Sequence, residues 1–324
     1  MSAYVLRRAL ISVVVIWLVI TLVFLATNVL SGDFATQRYA AQGSALSDTP
    51  AQRAARIQAA RAEFGLDEPV PVRYVHYLSK LARGDLGRSY QTRRSVIGTI
   101  GRAAPYTLQL SAMTLIVAVL ASLPFGILMA VWKDSSLDRV LRVVSSLFNA
   151  APAFWTASIA LVVVTRWQLW TVDFLGHPLL FENPVASLKL FGLPALFGGL
   201  GAGSGLLRLV RSQVLDVLHE DYMRTARAKG LRERAVILRH GLRNALLPVV
   251  TVLGFAVGGL LAGNVIMESL FAIPGLGNHL VTAVSLRDLP MVQSLVLLSA
   301  ILVVAANFAV DLLYTVIDPR LQLN

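Results

Sequence analysis

The sequence predicts an all-α protein of about six membrane-spanning helices, with a helical insertion outside the bilayer. Three observations lead there. Of the 324 residues, 56% are hydrophobic and the mean hydropathy is +0.67, where soluble domains hold about 45–50% apolar residues. Apolar runs long enough to cross about 30 Å of hydrocarbon recur along the chain. Basic residues gather in alternate connecting segments.

The first run, Ala9–Leu30, follows Arg7 and Arg8. It is too long for a signal-peptide core and no small-x-small cleavage site follows it, so it reads as a retained helix. A polar segment of about seventy residues comes next, Ser31 to Arg102. Within it Thr49-Pro50 reads as an N-cap followed by proline at the first helical position, opening a helix to about Phe64 that Gly65 stops. Pro69 and Pro71 read as a stiff connector. Val72–Leu81 reads as a second helix, with Tyr74, Tyr77, Leu78 and Leu81 on one apolar face. GDLGRSY, Gly84 to Tyr90, is a turn-rich exit.

Five further spans are expected at Tyr106–Trp132, Val143–Val164, Leu193–Val210, Leu246–Met267 and Val292–Tyr314. The fourth of the six is short and carries glycines from Gly198 to Gly205, which suit either close helix packing or a soft hinge. Gly254 with Gly258, and Gly259 with Gly263, have the small-residue spacing that lets helix backbones approach. The expected organisation is an N-terminal membrane helix (1–30), an extracytoplasmic helical insertion (31–101) and a five-helix membrane domain (102–318) with one long inner loop (211–245).

Orientation follows from the basic residues. With the N-terminus inside, the inner segments hold Arg7, Arg8, Lys133, Arg139 and Arg142. They also hold nine basic residues from Arg208 to Arg243, and Arg320. The short outer loops hold only Arg166, Lys189 and Arg287. The insertion carries eleven, but segments longer than about 60 residues are largely exempt from the positive-inside rule. Both termini are therefore expected in the cytoplasm. The net charge of +11 belongs to inner loops facing lipid and water. Aromatic residues are not interleaved with it as on a single-strand nucleic-acid surface, so no nucleic-acid partner is expected.

Enzyme motifs are missing from the sequence. None of the four lysines follows a glycine, so there is no GxxxxGK[ST] phosphate loop. His219-Glu220 begins like the zinc motif HExxH, but Met223 stands at the second histidine position. There is no GxSxG elbow, and the absence of cysteine excludes thiol chemistry. Neither a bound cofactor nor a metal is expected on this chain.

The inner loop carries the most specific string. From Asp221 to Thr251 it packs seven Arg or Lys into a polar helical run and then enters an apolar segment. Composition alone fits either a docking surface for a soluble partner or an amphipathic helix on anionic lipid. The ordered string YMRTARAKGL (Tyr222 to Leu231), with Arg239-His240 and Leu242 to Ala245 after it, resembles the inner-loop signature of ABC importer permeases of the peptide/opine/nickel family. That family's general Glu-Ala-Ala slot holds Arg224-Thr225-Ala226 here, Gly230 fills its glycine slot, and the proline comes late, at Pro248. Those departures match the peptide subfamily, and they mean that no role of the family's Glu passes to Arg224. Other strings are similar too: Phe64 to Asp67, Gly84 to Gly87, Glu268 to Gly277, Arg287 to Pro290, and Asn307, Asp311, Tyr314 with Asp318 to Arg320.

The resemblance implies a type I ABC importer transmembrane fold, in which a short coupling helix enters a groove on an ATP-binding subunit. Thr225, Ala226, Arg227, Ala228, Lys229 and Gly230 are the expected coupling residues. The small Ala226, Ala228 and Gly230 would let the helix sit deep, Arg227 and Lys229 would flank the contact, and Gly230 would end the helix with a positive φ. The implied partners are a second homologous permease, two ATP-binding subunits carrying ATP and magnesium, and an extracytoplasmic solute-binding protein. The implied role is ATP-driven uptake of short peptides. A self-contained secondary transporter or channel is the alternative, though the internal inverted repeats usual there are not evident.

Polar residues inside spans mark interhelix bonds or a pathway. Asn149, Asn264 and Asn307 are the candidates for either role, with Pro152 a kink beside Asn149. Glu268 and Asp311 are expected near opposite interfaces, where capping or ion pairs would suffice.

Overall fold

A computed structural model describes residues 2–30, 49–63, 67–169 and 176–317. Among them regular structure is helical, apart from one isolated bridge between Arg88 and Ser95. The helices are α1 (Ser2–Leu30), α2 (Pro50–Glu63), α3 (Val70–Ala82), α4 (Val96–Val131), α5 (Ser136–Ala150), α6 (Ala153–Arg166) and α7 (Pro184–Leu218). There follow α8 (Asp221–Ala228), α9 (Glu233–Ala235), a π-helical stretch Val236–Gly241, α10 (Leu242–Gly263), α11 (Val265–Leu270), α12 (Leu276–Ser285) and α13 (Leu289–Ile317).

Among the described residues four helices, α1, α4, α7 and α13, are each long and apolar enough to cross a membrane. Two bent pairs bring the count to as many as six, α5 with α6 at 101° and the stretch on either side of Leu247 at 49°. The third expected span, Val143–Val164, is thus not a straight helix with a kink. Proline disfavours helical backbone in the residue before it, and Ala151 accordingly sits at φ −90°, ψ 131°. The chain turns a corner there.

The fourth expected span is the middle of a much longer element. Asn183 caps α7 by accepting from the Ala186 N–H, Pro184 occupies the first turn, and the helix runs 35 residues in all, about 52 Å at 1.5 Å per residue. Its glycines are packing positions in an unbroken helix. A methyl group on Gly199 would overlap Val117 of α4, and one on Gly203 would meet the Ala118 backbone at 3.0 Å. One on Gly201 would touch Ala153 of α6, also at 3.0 Å. Gly254 and Gly258 likewise face Val310 and Ala306 of α13, whereas Gly259 has open space in front of it. The second span is longer than expected as well, since α4 begins at Val96 and contains Pro105 and Pro124.

The chain divides into two compact units, each described by itself. One comprises the described residues of Met1–Ser12, Ala103–His279 and Ser299–Asn324. It holds two apolar cores on α7, one around Leu190, Phe191, Met267 and Phe271 and the other around Leu206, Val210, Ala245 and Val249.

The other unit comprises the described residues of Val13–Arg102 and Leu280–Leu298. Here Thr49 and Gln52 form a reciprocal cap at the start of α2, with Thr49 N–H donating to Gln52 Oε1 at 2.9 Å. Helix α3 begins at Val70, so Pro71 lies in its first turn and is not part of a connector. Its Tyr74 and Tyr77 rings meet Phe24 of α1 at 5.1 and 5.6 Å, and Thr21 shares a 2.6 Å hydrogen bond with Tyr74. Burial, and secondarily Tyr74, pushes the Tyr77 phenol up to about 12. The stop at Phe64-Gly65 and the closing Asp318-Pro319-Arg320 lie outside the described residues, as do the side chains of Asp311 and Tyr314.

Candidate functional site

The expected coupling loop folds into a short helix held on one face by its own chain. Glu220 is extended at φ −66°, ψ 148°, and α8 starts after it with Asp221 in its first turn and Arg227 in its last, which suits the helix dipole. The Lys229 N–H donates to the Thr225 carbonyl at 3.1 Å and the Gly230 N–H to the Arg227 carbonyl at 2.9 Å. Gly230 sits at φ +74°, the left-handed backbone that ends helices and favours glycine.

Met223 and Ala226 point inward onto Val236, beside Val217 and Leu218. A methyl group on Gly241 would come within 3.2 Å of Met223 Cε, so the π-helical turn lies close under α8. Arg227 Nη2 donates to Glu233 Oε1 at 3.0 Å, clamping α8 to α9. That guanidinium holds the Glu233 carboxyl below its ordinary range, and the carboxylate in turn raises Arg227. Asn244 Nδ2 donates to the Tyr222 hydroxyl at 3.0 Å, tying α8 to α10.

Of the six expected coupling residues Ala226 is the buried one, 7% exposed and packed by its own chain against Met223 and Val236. Thr225, Arg227, Ala228, Lys229 and Gly230 are exposed, as is Arg224.

The three asparagines do not form one constellation. Asn149 is exposed on α5, its Oδ1 3.8 Å from where a methyl on Gly205 of α7 would lie. Asn264 breaks the helix between α10 and α11, and its carbonyl accepts from the Glu268 N–H at 2.8 Å. Its side chain faces Ser111 of α4 at 3.5 Å, and the Ser111 hydroxyl donates to the Leu260 carbonyl at 2.9 Å. Asn307 of α13 lies over Gly258 of α10. Each therefore meets a different helix.

Two buried carboxylates organise this unit, and sequence reasoning singled out only Glu268. Its Oε1 accepts from the Thr107 hydroxyl of α4 at 2.6 Å. Backbone N–H groups of Gly277 and Asn278, the latter at 3.0 Å, bind it at the start of α12, where a helix favours negative charge. Thr107 Oγ1 also accepts from the Leu276 N–H at 2.8 Å. A methyl group on Gly275 would overlap the carboxylate, and one on Gly277 would meet Val265 Cα at 2.6 Å. The string Glu268 to Gly277 is thus a hairpin wrapped around its own first residue.

The carboxylate that was missed is Asp138, fully buried in the first turn of α5 and gripped by Arg211 of α7. The sequence carried only a weak signal for it: Arg211 directly follows the expected span Leu193–Val210, and Asp138 is followed closely by Arg139 and Arg142. In the other unit, Asp288 accepts from the Ser89 hydroxyl and from the Tyr90 N–H at 2.9 Å. Two strings far apart in sequence, Gly84 to Tyr90 and Arg287 to Pro290, meet through it. Among the described residues no group of three His, Asp or Glu side chains forms a metal-binding cluster.

A family model described as a binding-protein-dependent transport system inner membrane component matches residues 122–323, and the N-terminal model of the same systems matches residues 1–111. The chain belongs to this permease family. It is 38% identical over 322 residues to the glutathione transport system permease protein GsiC of Salmonella choleraesuis strain SC-B67, covering 99% of each chain. It is 34% identical over 324 residues to the oligopeptide transport system permease protein AppB of Bacillus subtilis strain 168, covering 99% of this chain and 100% of that one. The permease is therefore a multi-pass membrane subunit with the type I ABC importer fold, in the peptide branch. Systems of this family pair such a subunit with ATP-binding subunits and a solute-binding protein.

Proposed function

We propose that the permease forms one half of the translocation pathway of a short-peptide importer and is driven through α8 by a separate ATP-binding subunit. The observation that supports this is the two-sidedness of α8. One face is anchored by Met223, Ala226 and the Arg227–Glu233 pair, while Arg224, Thr225, Ala228 and Lys229 are left exposed. A helix fixed on one side and basic on the other suits insertion into an acidic or carbonyl-lined groove.

In this reading loop 211–245 and both termini face the cytoplasm, and insertion 31–101 faces the solute-binding protein. A second homologous permease completes the pathway, and two ATP-binding subunits lie beneath. ATP and magnesium reside on those subunits, and this chain has no ATPase site of its own. Closure of the nucleotide domains moves α8 and shifts the pathway between inward-open and outward-open states. Glutathione and oligopeptides, the cargoes in the names of the relatives, share a peptide backbone and free carboxylates, which makes short peptides the cargo class.

The test is Ala228→Trp in the assembled transporter. Uptake should become uncoupled from ATP hydrolysis while the subunit stays in the membrane at normal level. Normal uptake by this variant, or wild-type uptake that survives removal of every ATP-binding subunit, would overturn the reading and favour an ion-driven transporter.

A further inference from the structure

We infer that Asp138 and Arg211 are positioning residues that carry movement of the coupling loop into the broken α5–α6 pair. The inference rests on the docking of α8 proposed above. Both Asp138 carboxylate oxygens are engaged. Arg211 donates from Nε to Oδ1 at 2.8 Å and from Nη2 to Oδ2 at 2.9 Å. Arg142 Nη2 reaches Oδ2 at 2.5 Å and the Asp134 N–H reaches it at 3.1 Å. The Asp138 N–H is in turn capped by Ser135 Oγ at 3.2 Å. A two-bond fork from a planar guanidinium fixes angle as well as distance, so α5 is held to α7 in one register.

The position of this fork on α7 is what gives it reach. Arg211 stands two turns before Leu218, where α7 ends and the chain turns into α8. Its neighbours Val210 and Val214 pack with Ala245 and Val249, in the stretch of α10 that follows the π-helical turn. The same short, continuous piece of α7 thus holds α10 by apolar contact and α5 by charge. A displacement of α8 reaches both.

The far end of α5 is the corner at Ala151-Pro152, and beyond it Ala157 of α6 is buried in the core around Phe191 and Met267. The pair is therefore anchored at one end near the coupling loop and at the other in that core, with a 101° corner between. Stability alone does not call for this arrangement, because a buried ion pair is often matched or bettered by apolar side chains of similar volume. A fixed register is what the fork adds.

The experiment reconstitutes the complete transporter in liposomes, with a labelled dipeptide and labelled glutathione as probes, and measures uptake and ATP hydrolysis together. Asp138→Asn should lower cargo moved per ATP by roughly fivefold or more. Asp138→Glu, which keeps the charge but lengthens the arm, should also lower it with normal membrane levels, so the inference stays testable if the first variant folds poorly. The reversed pair, Asp138→Arg with Arg211→Asp, should recover much of the lost ratio. Arg139 is exposed, with its guanidinium reaching Ser136 Oγ, and Arg139→Gln should stay within about twofold of wild type. An unchanged ratio in Asp138→Glu, or uptake and hydrolysis falling in parallel in both single variants, would overturn the inference. If Ala228→Trp uncouples and Asp138→Glu does not, the link fails while docking stands. Wild-type uptake without ATP would instead remove the docking reading itself.

Discussion

The loop carrying α8 and the hairpin opened by Glu268 are both short, both rich in glycine or alanine, and both drawn from strings that resemble one permease family. They use those residues in opposite ways. In the hairpin the charged group and the glycines turn inward: the Glu268 carboxylate is wrapped by Thr107 and the first turn of α12, and Gly275 and Gly277 are the residues whose lack of a side chain leaves room for it. In the loop carrying α8 the same kind of string is split, with Met223 and Ala226 inside and Thr225, Ala228 and Lys229 outside. A family string therefore marks a place without saying which of its residues meet a partner. Only burial separates them.

The sharpest way to break the comparison is Glu268→Ala. If the carboxylate is the centre of its hairpin, its removal strips Thr107 and two N–H groups of their acceptor in a site with no water access. The loss should be about 3 kcal/mol, read as a lowered melting temperature of the purified complex. A variant as stable as wild type would show that the hairpin holds itself without Glu268.

Next in size is Ala226→Leu. Inserting three heavy atoms against Met223 and Val236 should cost about 2 kcal/mol by overpacking. Because Ala228 is exposed, Ala228→Leu should leave melting within about 0.5 kcal/mol of wild type while uptake falls. Equal losses of stability in the two variants would erase the distinction between the faces of α8.

These contrasts also show what was legible in the sequence. The apolar runs and the switch from polar to apolar periodicity depend on local composition, so the helical membrane class could be read directly. Gly230 was readable for the same reason, since a positive φ at a helix end is a one-residue requirement. The corner at Ala151-Pro152 was half-readable: proline announced a break, but the 101° angle is set by where α6 packs. The burial of Ala226 and the Asp138–Arg211 fork were hidden, because each needs partners brought from elsewhere, Val236 for the first and α7 for the second. Long-range pairing leaves little trace in one sequence.

The smallest expected effect lies in the clamp between α8 and α9. The Glu233 carboxyl is held below its usual range by Arg227, so its contribution is present above the unfolded carboxylate pKa and fades as pH falls through the lowered folded value. Both side chains are well exposed, and solvent screening limits the contribution to about 0.5 kcal/mol. Glu233→Gln should therefore melt slightly below wild type at neutral pH, and the two curves should converge on acidification and in high salt. Transport should respond more than stability, because a loosened Arg227 lets α8 tilt on its anchored face and blurs the surface it offers. A Glu233→Gln variant with altered melting but unchanged cargo per ATP would assign the clamp to folding alone, and the orientation of α8 would then rest on Met223 and Ala226.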